Sequence, residues 1–258
     1  MKLSIVVPAY NEESRIGGML DAYLAYFTER YGGDYELIVS VNGSTDATEE
    51  AVRQRQQASA QLRMTVDPRP IGKGGAIMAG GRLAQGDYIG FVDADGATPP
   101  FAFDDLLKQI GDAGLIIASR RLPGAVVQPR PTYKRRMASR LFNGLVRLFF
   151  RLNITDTQCG AKLMTAVAWR TIVPYIGLTR WAFDVDMLFK TRRAHFQIKE
   201  IPTTWSDMAG SKLRIYRASL QMFLAICRLR LLYSPFRWVV AGYDRLLGRV
   251  IKLDPFGG

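Results

Sequence analysis

Residues 87–100 read Asp87-Tyr88-Ile89-Gly90-Phe91-Val92-Asp93-Ala94-Asp95-Gly96-Ala97-Thr98-Pro99-Pro100. The apolar run 88–92 stops abruptly at Asp-Ala-Asp-Gly. Such a run has the pattern of a strand buried on both faces, as in a parallel sheet. Asp93 and Asp95 then fall at its carboxyl end, where open α/β sheets bind ligands. Residues i and i+2 of an extended segment point the same way, so two like charges are set side by side. A hard divalent cation, Mg²⁺ or Mn²⁺, that also holds phosphate oxygens would reconcile them. A surface turn leading into a helix cap would account for the same four residues. The flanking sequence has to decide between the two.

Upstream, apolar runs at 3–7, 35–41 and 62–66 predict three strands, and 115–118 predicts one more after the acidic turn. Helical segments lie between them. One runs from Asn11, a candidate N-cap, to about residue 30. A second spans about 46–57, with Ser44 or Thr45 as its cap. A third opens at Ile71-Gly72-Lys73-Gly74-Gly75-Ala76. This alternation predicts an α/β fold: a mostly parallel, Rossmann-like sheet with helices on both faces. Pro8-Ala9-Tyr10-Asn11-Glu12, Asn42 with Asp46, Lys73, and Asp93 with Asp95 would gather at one edge of that sheet. Their convergence favours a nucleotide site over four unrelated turns. The Gly-rich Lys73 segment can bring backbone N–H groups and a cation to a diphosphate. A tight turn with close helix packing explains that segment equally well, and it matches neither the P-loop nor the dinucleotide-binding glycine pattern.

The 258 residues suffice for one substantial core, alone or with an appendage. The net charge is +12 and is unevenly placed. Residues 119–155 hold nine Lys or Arg and no acid, and residues 208–243 hold six and no acid. A basic half implies a polyanionic partner. Two cysteines make no disulfide framework and one histidine argues against a zinc site; a reducing, cytoplasmic setting is expected. Met1-Lys2 leads straight into a strand, so no signal peptide is expected. No apolar run reaches the ~20 residues that span a bilayer. The best candidate, 220–240, is broken by Arg228, Arg230 and Arg237.

From Pro131, Met137, Leu141, Leu145, Leu148 and Leu152 share one helical stripe. Arg136, Arg140, Arg147 and Arg151 run one residue out of phase, with Phe142 and Phe149 nearby. The tail repeats the pattern with Leu220, Phe223, Leu224, Cys227 and Leu231 beside Arg217, Arg228 and Arg230. Such helices suit an anionic membrane surface or a core-packed helix with a solvated flank, and their repetition favours the membrane. No base-reading module is evident, and nucleic acid is not an expected partner.

Pro8-Ala9-Tyr10-Asn11-Glu12, Gly43-Ser44-Thr45-Asp46 and Asp93-Ala94-Asp95 resemble the family 2 glycosyltransferases of GT-A fold. More specific strings follow: Ser119-Arg120, Asp156-Thr157-Gln158-Cys159-Gly160-Ala161-Lys162-Leu163, Arg180-Trp181-Ala182-Phe183-Asp184-Val185-Asp186, and Trp205 through Gly210-Ser211-Lys212-Leu213. They resemble the dolichyl-phosphate β-glucosyltransferases, and more loosely the mannose synthases, from Leu3 to about Trp238. The resemblance implies transfer of a hexose from a nucleotide sugar, UDP-glucose by the nearer likeness or GDP-mannose by the looser one, to a polyprenyl phosphate with inversion. It implies a GT-A catalytic domain over 1–212, including the amphipathic helix 131–152, and membrane-associating helices over 213–258. It also implies that Asp93 and Asp95 hold Mg²⁺ or Mn²⁺. Pro8, Tyr10, Glu12, Asn42, Asp46, Lys73, Asp93 and Gln158 would bind the nucleotide sugar. Arg120, Arg136 and Lys212 would bind the acceptor phosphate. Asp184, Asp186 and Asp156 would serve the chemistry, though a helix N-cap would also explain one of Asp184 and Asp186, and a sugar-pocket lining or a turn would explain Asp156 with Gln158. The family's usual Asp-Asp before Gly-Ser is Val41-Asn42 here, whose amide oxygen can still accept from a base N–H. The eukaryotic members begin with a spanning helix that this sequence lacks, so peripheral anchoring at the cytoplasmic face of a membrane is expected.

Three rivals fit less well. Processive polysaccharide synthases carry Gln-x-x-Arg-Trp, where this chain reads Gly177-Leu178-Thr179-Arg180-Trp181. Nucleotidyltransferases open on a Gly-rich string absent after the first strand. A non-enzymatic basic module, binding membrane or nucleic acid, would explain the charge but not the acidic strand ends.

Overall fold

The computed structural model describes residues 2–129, 132–177, 182–206, 215–236, 238 and 240. Each apolar run read from the sequence is a strand: β1 Leu3–Ala9, β2 Tyr35–Asn42, β3 Leu62–Asp67, β4 Tyr88–Phe91 and β5 Leu115–Ser119. They alternate with helices α1 Ile16–Tyr31, α2 Thr48–Ala58, α3 Gly72–Gly81 and α4 Pro100–Gln109. The second half adds β6 Val126–Gln128, α5 Tyr133–Phe150, β7 Lys162–Thr165 and α6 Ala166–Ile172. It then continues with α7 Phe183–Arg193, β8 Ile198–Pro202, β9 Thr204–Ser206 and α8 Ile215–Leu232.

Among the described residues seven strands form one sheet in the order β3-β2-β1-β4-β7-β5-β8. β3, β2, β1 and β4 run parallel, and β5 pairs in parallel with β8. Strand β7 is the exception, antiparallel to both β4 and β5. This inversion matters for the site. Because β7 runs backwards, its first residue Lys162 pairs with Phe91, the last residue of β4. The chain entering β7 therefore crosses the edge where the parallel strands end. A short parallel pair, β6 with β9, stands apart.

Every residue of β2 is buried, as a parallel strand covered on both faces requires. Alternate residues serve opposite layers. Ile5 and Val7 join α1, α2 and α4 through Leu20, Phe27, Val52 and Phe103. Val6, Ile89 and Phe91 join α3, α5, α6, α7 and α8 on the other face. In α8, Ile226 and Leu229 are buried in that second layer, so α8 packs with the sheet domain.

Of the two settings expected for the α5 stripe, a membrane surface or the core, the core is taken mainly by a neighbouring stripe. Phe142, Val146 and Phe150 are buried. Leu141 and Leu148 are 67% and 72% exposed, and Met137 is exposed too. Adjacent stripes on this helix are both apolar, and the one with the phenylalanines fits the neighbouring helices; the Phe150 ring meets Phe189 of α7 edge-on at 5.3 Å. On α8, likewise, Ile226 and Leu229 are the buried positions, while Phe223 is partly exposed. No described helix is long and apolar enough to cross a membrane.

Two expected caps also differ. Asn11 adopts φ 53° and bonds across to the next loop instead of opening α1, which starts at Ile16. At α2 the Asp46 carboxylate, not Ser44 or Thr45, accepts from the Thr48 amide at 3.0 Å. At α2 a residue one further along satisfies a helix-end amide, whereas α1 takes no side-chain cap and its Ile16 amide donates to the Glu12 carbonyl.

Close packing between α3 and α6 sets a stability test. A Cβ on Gly81 would lie 2.1 Å from the Trp169 ring. Alanine normally stabilises a helix interior by about 0.5–1 kcal/mol relative to glycine, whereas overpacking costs about 1–3 kcal/mol. Gly81→Ala should therefore lower the urea midpoint with an unchanged slope in equilibrium unfolding.

Candidate active site

Strands β3, β2, β1 and β4 end side by side, and their loops are sewn together. The Asn11 side chain accepts from the Thr45 amide at 2.8 Å, and its backbone N–H donates to Ser44 Oγ at 3.1 Å. The Glu12 amide donates to Thr48 Oγ1 at 2.7 Å. Asn42, buried, donates from Nδ2 to the Ala9 carbonyl at 3.0 Å. Gly43 takes φ 59°, and a Cβ there would meet Pro70 at 2.8 Å, which holds the β2 and β3 loops in contact. Asp46 accepts from the Thr48 and Glu13 amides; these bonds hold its carboxyl below the ordinary range despite burial. Pro8 lies within β1, and Tyr10 stands exposed at the rim.

Asp93 and Asp95 leave β4 at this edge. The extension ends sooner than the sequence suggests: residues 94–95 already turn, Gly96 has φ 74°, and Asp95 Oδ1 accepts from the Ala97 amide at 3.0 Å. Lys73 Nζ, from the first turn of α3, sits 2.5 Å from Asp93 Oδ1. Burial pushes the Asp93 carboxyl up, but the charge and hydrogen bond of Lys73, with Lys162 and Arg120 further off, bring it below its usual value. Asp95 is raised, by burial and then by the charge of Asp93. Glu12 is also raised, chiefly by burial, with Asp95 and Asp93 adding to it against Arg15. Three carboxylates thus share one field.

Among the described residues no three His, Cys, Asp or Glu side chains form a metal cage. Asp93 and Asp95 offer hard oxygens, and the raised Asp95 marks a place short of positive charge, which suits a hard cation whose other oxygens come from a ligand. Lys73 stands at Asp93 as a monovalent stand-in for such a cation. The residues fit a divalent ion held jointly with phosphates.

The β7 crossing supplies the opposite wall. A Cβ on Gly160 would lie 2.0 Å from Asp93 Oδ2, so only glycine lets the carboxylate seat there. Lys162 has no accessible surface. Its ammonium donates to Asp184 Oδ1 and to the Cys159 carbonyl, both at 2.6 Å, and lies 5.4 Å from the centroid of the Phe91 ring. Neither Lys162 nor Gly160 is singled out by sequence reasoning. The signal was a lysine opening an apolar strand between two buried ones.

Arg120 and Asp156 form a two-pronged ion pair, Nε to Oδ2 at 2.8 Å and Nη2 to Oδ1 at 3.0 Å. The guanidinium stacks 5.2 Å from the Trp205 ring centroid. Arg120 is thereby raised, Asp156 outweighing burial, and Asp156 is held low by Arg120 against its own burial. The backbone of residues 155 and 156 is fixed in turn by the Glu200 carboxylate. Beside them, Gln158 Nε2 is buried without a hydrogen-bond partner.

Asp184 and Asp186 part company. Two residues along a helix turn a side chain by about 200°. Asp184 meets Lys162, whereas Asp186 accepts from Tyr233 Oη at 2.5 Å and lies 3.6 Å from Lys190. Arg136 is exposed on the first turn of α5, its guanidinium 5.9 Å from the Tyr133 ring centroid. Lys212, with Arg180 and Trp181, lies outside the described residues.

Residues 4–172 match Glycosyl transferase family 2. The dolichyl-phosphate beta-glucosyltransferase of Dictyostelium discoideum is 34% identical over 250 residues, covering 92% of this chain and 76% of that protein. That of Drosophila melanogaster is 34% identical over 259 residues (95% and 79%), and that of Saccharomyces cerevisiae 33% over 252 (90% and 75%). Among solved structures, glucosyl-3-phosphoglycerate synthase from Mycobacterium tuberculosis in complex with UDP superposes with a TM-score of 0.67 at 18% identity, over 89% of this chain and 79% of that one. The same enzyme with Mn²⁺, UDP and phosphoglyceric acid gives 0.65, with 18% identity and 89% and 78% coverage. The sheet of parallel strands with one inverted strand is the GT-A architecture, and the chain belongs to glycosyl transferase family 2, alongside the dolichyl-phosphate beta-glucosyltransferases.

Proposed function

We propose that the protein transfers glucose from UDP-glucose to the phosphate of a polyprenyl carrier such as dolichyl phosphate, inverting the anomeric carbon. The observation that carries this reading is the Asp93–Asp95 turn at the shared strand edge, its like charges flanked by Lys73 and Glu12. The relatives' activity supports the choice of donor and acceptor.

Asp93 and Asp95 would hold Mg²⁺ or Mn²⁺, which when bound supplies positive charge to the departing diphosphate. Lys73 and the amino end of α3 serve the same diphosphate. Pro8, Tyr10, Glu12 and Asn42 border the nucleoside, and Asp46 shapes their loop through its cap. Gln158 Nε2, a buried donor, is suited to a sugar hydroxyl. Arg120 uses Nε and Nη2 on Asp156, and its remaining guanidinium N–H groups would serve an acceptor phosphate, with Arg136 and Lys212 as further cations.

An acceptor phosphate oxygen attacks the anomeric carbon from the side opposite the leaving group. The bond from that carbon to the diphosphate oxygen breaks, its electron pair leaves with UDP, and the β-linked lipid phosphate sugar remains. A phosphate monoester has a second pKa of about 6, so most of the acceptor is already a dianion. Asp184, held by Lys162, would take the proton of the monoanionic fraction. Asp186 ties α7 to α8.

Anchoring comes from the outward stripe of α5. Met137, Leu141 and Leu148 are exposed on a helix that also carries Arg136, Arg140 and Arg147. That combination suits an anionic bilayer surface, and would place the enzyme peripherally on the carrier's membrane.

Protein mixed with Mn²⁺, UDP-glucose and a short polyprenyl phosphate should give a hexosyl-phosphate lipid by mass spectrometry. Asp95→Asn should cut that product by about 100-fold or more. Because Asp95 is held above the ordinary carboxylate range, its charge opposes folding at neutral pH, and the opposition fades as pH falls through its folded pKa. The same variant should therefore melt no lower than the parent. A lower melting point combined with full transfer would remove Asp95 from the site.

Gly160→Ala tests Asp93's seat from the other side. The added methyl must displace the Asp93 carboxylate, so transfer should collapse while the far-ultraviolet circular dichroism stays unchanged.

Association with liposomes containing anionic lipid should be strong at low salt and weakened by added salt. Leu141→Gln with Leu148→Gln should reduce co-sedimentation without lowering the melting temperature, since both side chains are exposed.

A further inference from the structure

Lys73 and Asp93 form a pair that is close yet open. The separation is 2.5 Å, but the two side chains keep 34% and 39% of their surface accessible. Such a pair can part without unfolding its surroundings. Asp93 is also one of the two carboxylates argued above to hold the divalent ion. Its other oxygen, Oδ2, lies closest to where a Gly160 side chain would stand, and Oδ1 is the atom facing Lys73.

Lys73 has somewhere else to go. It stands in the first turn of α3, at the amino end of a helix, where a diphosphate would be received. Its ammonium lies 5.8 Å from the centroid of the Phe91 ring, the ring that also carries Lys162, and the negative charge of Asp184 acts on it as well. A lysine is a point charge on a flexible stem, able to move among these neighbours. Asp93 has less choice. A cation approaching its carboxylate is drawn by Asp95 and Glu12 but repelled by the ammonium already there.

We propose that Lys73 competes with the divalent cation for Asp93, and that a nucleoside diphosphate relieves the competition by drawing Lys73 onto its phosphates. Metal and nucleotide then bind as a coupled pair, each weak alone. The proposal rests on the reading of Asp93 and Asp95 as metal ligands, and it adds a role for Lys73 that a simple phosphate contact would not have. Coupling of this kind is reciprocal. It keeps a bare metal ion from being held between turnovers and makes release of UDP favour release of the ion.

The test is direct Mn²⁺ binding, followed by the electron paramagnetic resonance of free Mn²⁺, with and without saturating UDP. The native protein should bind Mn²⁺ weakly alone and markedly more tightly with UDP. Lys73→Met should bind Mn²⁺ alone about tenfold or more tightly than the native protein, the direction expected when a like charge beside the ion is removed. UDP should then enhance Mn²⁺ binding less than it does in the native protein. Lys73→Arg should keep the native pattern, and Lys73→Gln should reproduce the methionine variant if the latter folds poorly. Mn²⁺ affinity that is unchanged or weaker in both uncharged variants, measured without UDP, would overturn the proposal. If UDP fails to bind the native protein at any Mn²⁺ concentration, the nucleotide reading falls, while the comparison in Mn²⁺ alone still decides the role of Lys73.

Discussion

A lysine with no accessible surface lies at the centre of this fold. An isolated ammonium in a protein interior is strongly disfavoured unless it is paired and hydrogen-bonded. Lys162 meets that demand with the Asp184 carboxylate, the Cys159 carbonyl and the face of Phe91. Each partner comes from a different part of the chain: α7, the crossing that precedes β7, and the end of β4. Satisfying one buried charge therefore fixes three elements against one another. The inverted strand makes this possible. A parallel strand in the place of β7 would put its first residue at the far edge of the sheet. The crossing, with Gly160 and the Asp156 region, would go with it.

Charge alternates outward from that point. Asp184 faces Lys162, Lys73 faces Asp93, and Arg120 faces Asp156. Glu12 faces Arg15, and Asp95 is the acid raised by burial and by its neighbour Asp93. The region is thus nearly neutral around its rim and short of positive charge in one place. A site organised in this way can bring two anionic substrates together without being so cationic that it holds its products. The arginine-rich surface of α5 adds attraction at longer range, where screening limits it to about a Debye length, ~8 Å at physiological salt.

The strands were legible because a β-branched apolar run between turn residues has few other uses. The convergence of Glu12, Lys73 and Asp93 with Asp95 followed from the parallel pairing alone. What could not be read depended on contacts distant in sequence. Asn11 looks like a helix cap locally, but its side chain is spent on Thr45 across the next loop. On α5 two neighbouring stripes are apolar, and only the packed helices decide that Phe142, Val146 and Phe150 turn inward. Asp184 and Asp186 are equivalent as letters; Lys162 and Tyr233 tell them apart. Gly160 carries no local signal, because its importance is the space it leaves for a carboxylate on another strand.

That division between Asp184 and Asp186 ties the outer helices to the sheet edge. Asp186 receives the Tyr233 hydroxyl from just beyond α8, and the Tyr233 ring lies 4.8 Å from Phe189, which in turn meets Phe150 of α5. Helix α7 is therefore clasped on one side by α5 and α8, and on its other side it presents Asp184 to Lys162 and the sheet edge. The α5–α8 pair is thus joined to α7 through packed rings and one partly buried hydrogen bond. Packed interiors of this kind shift as units and do not deform gradually. The orientation of Asp184 and the packing of α8 are thus set from two ends of one rigid element, α7.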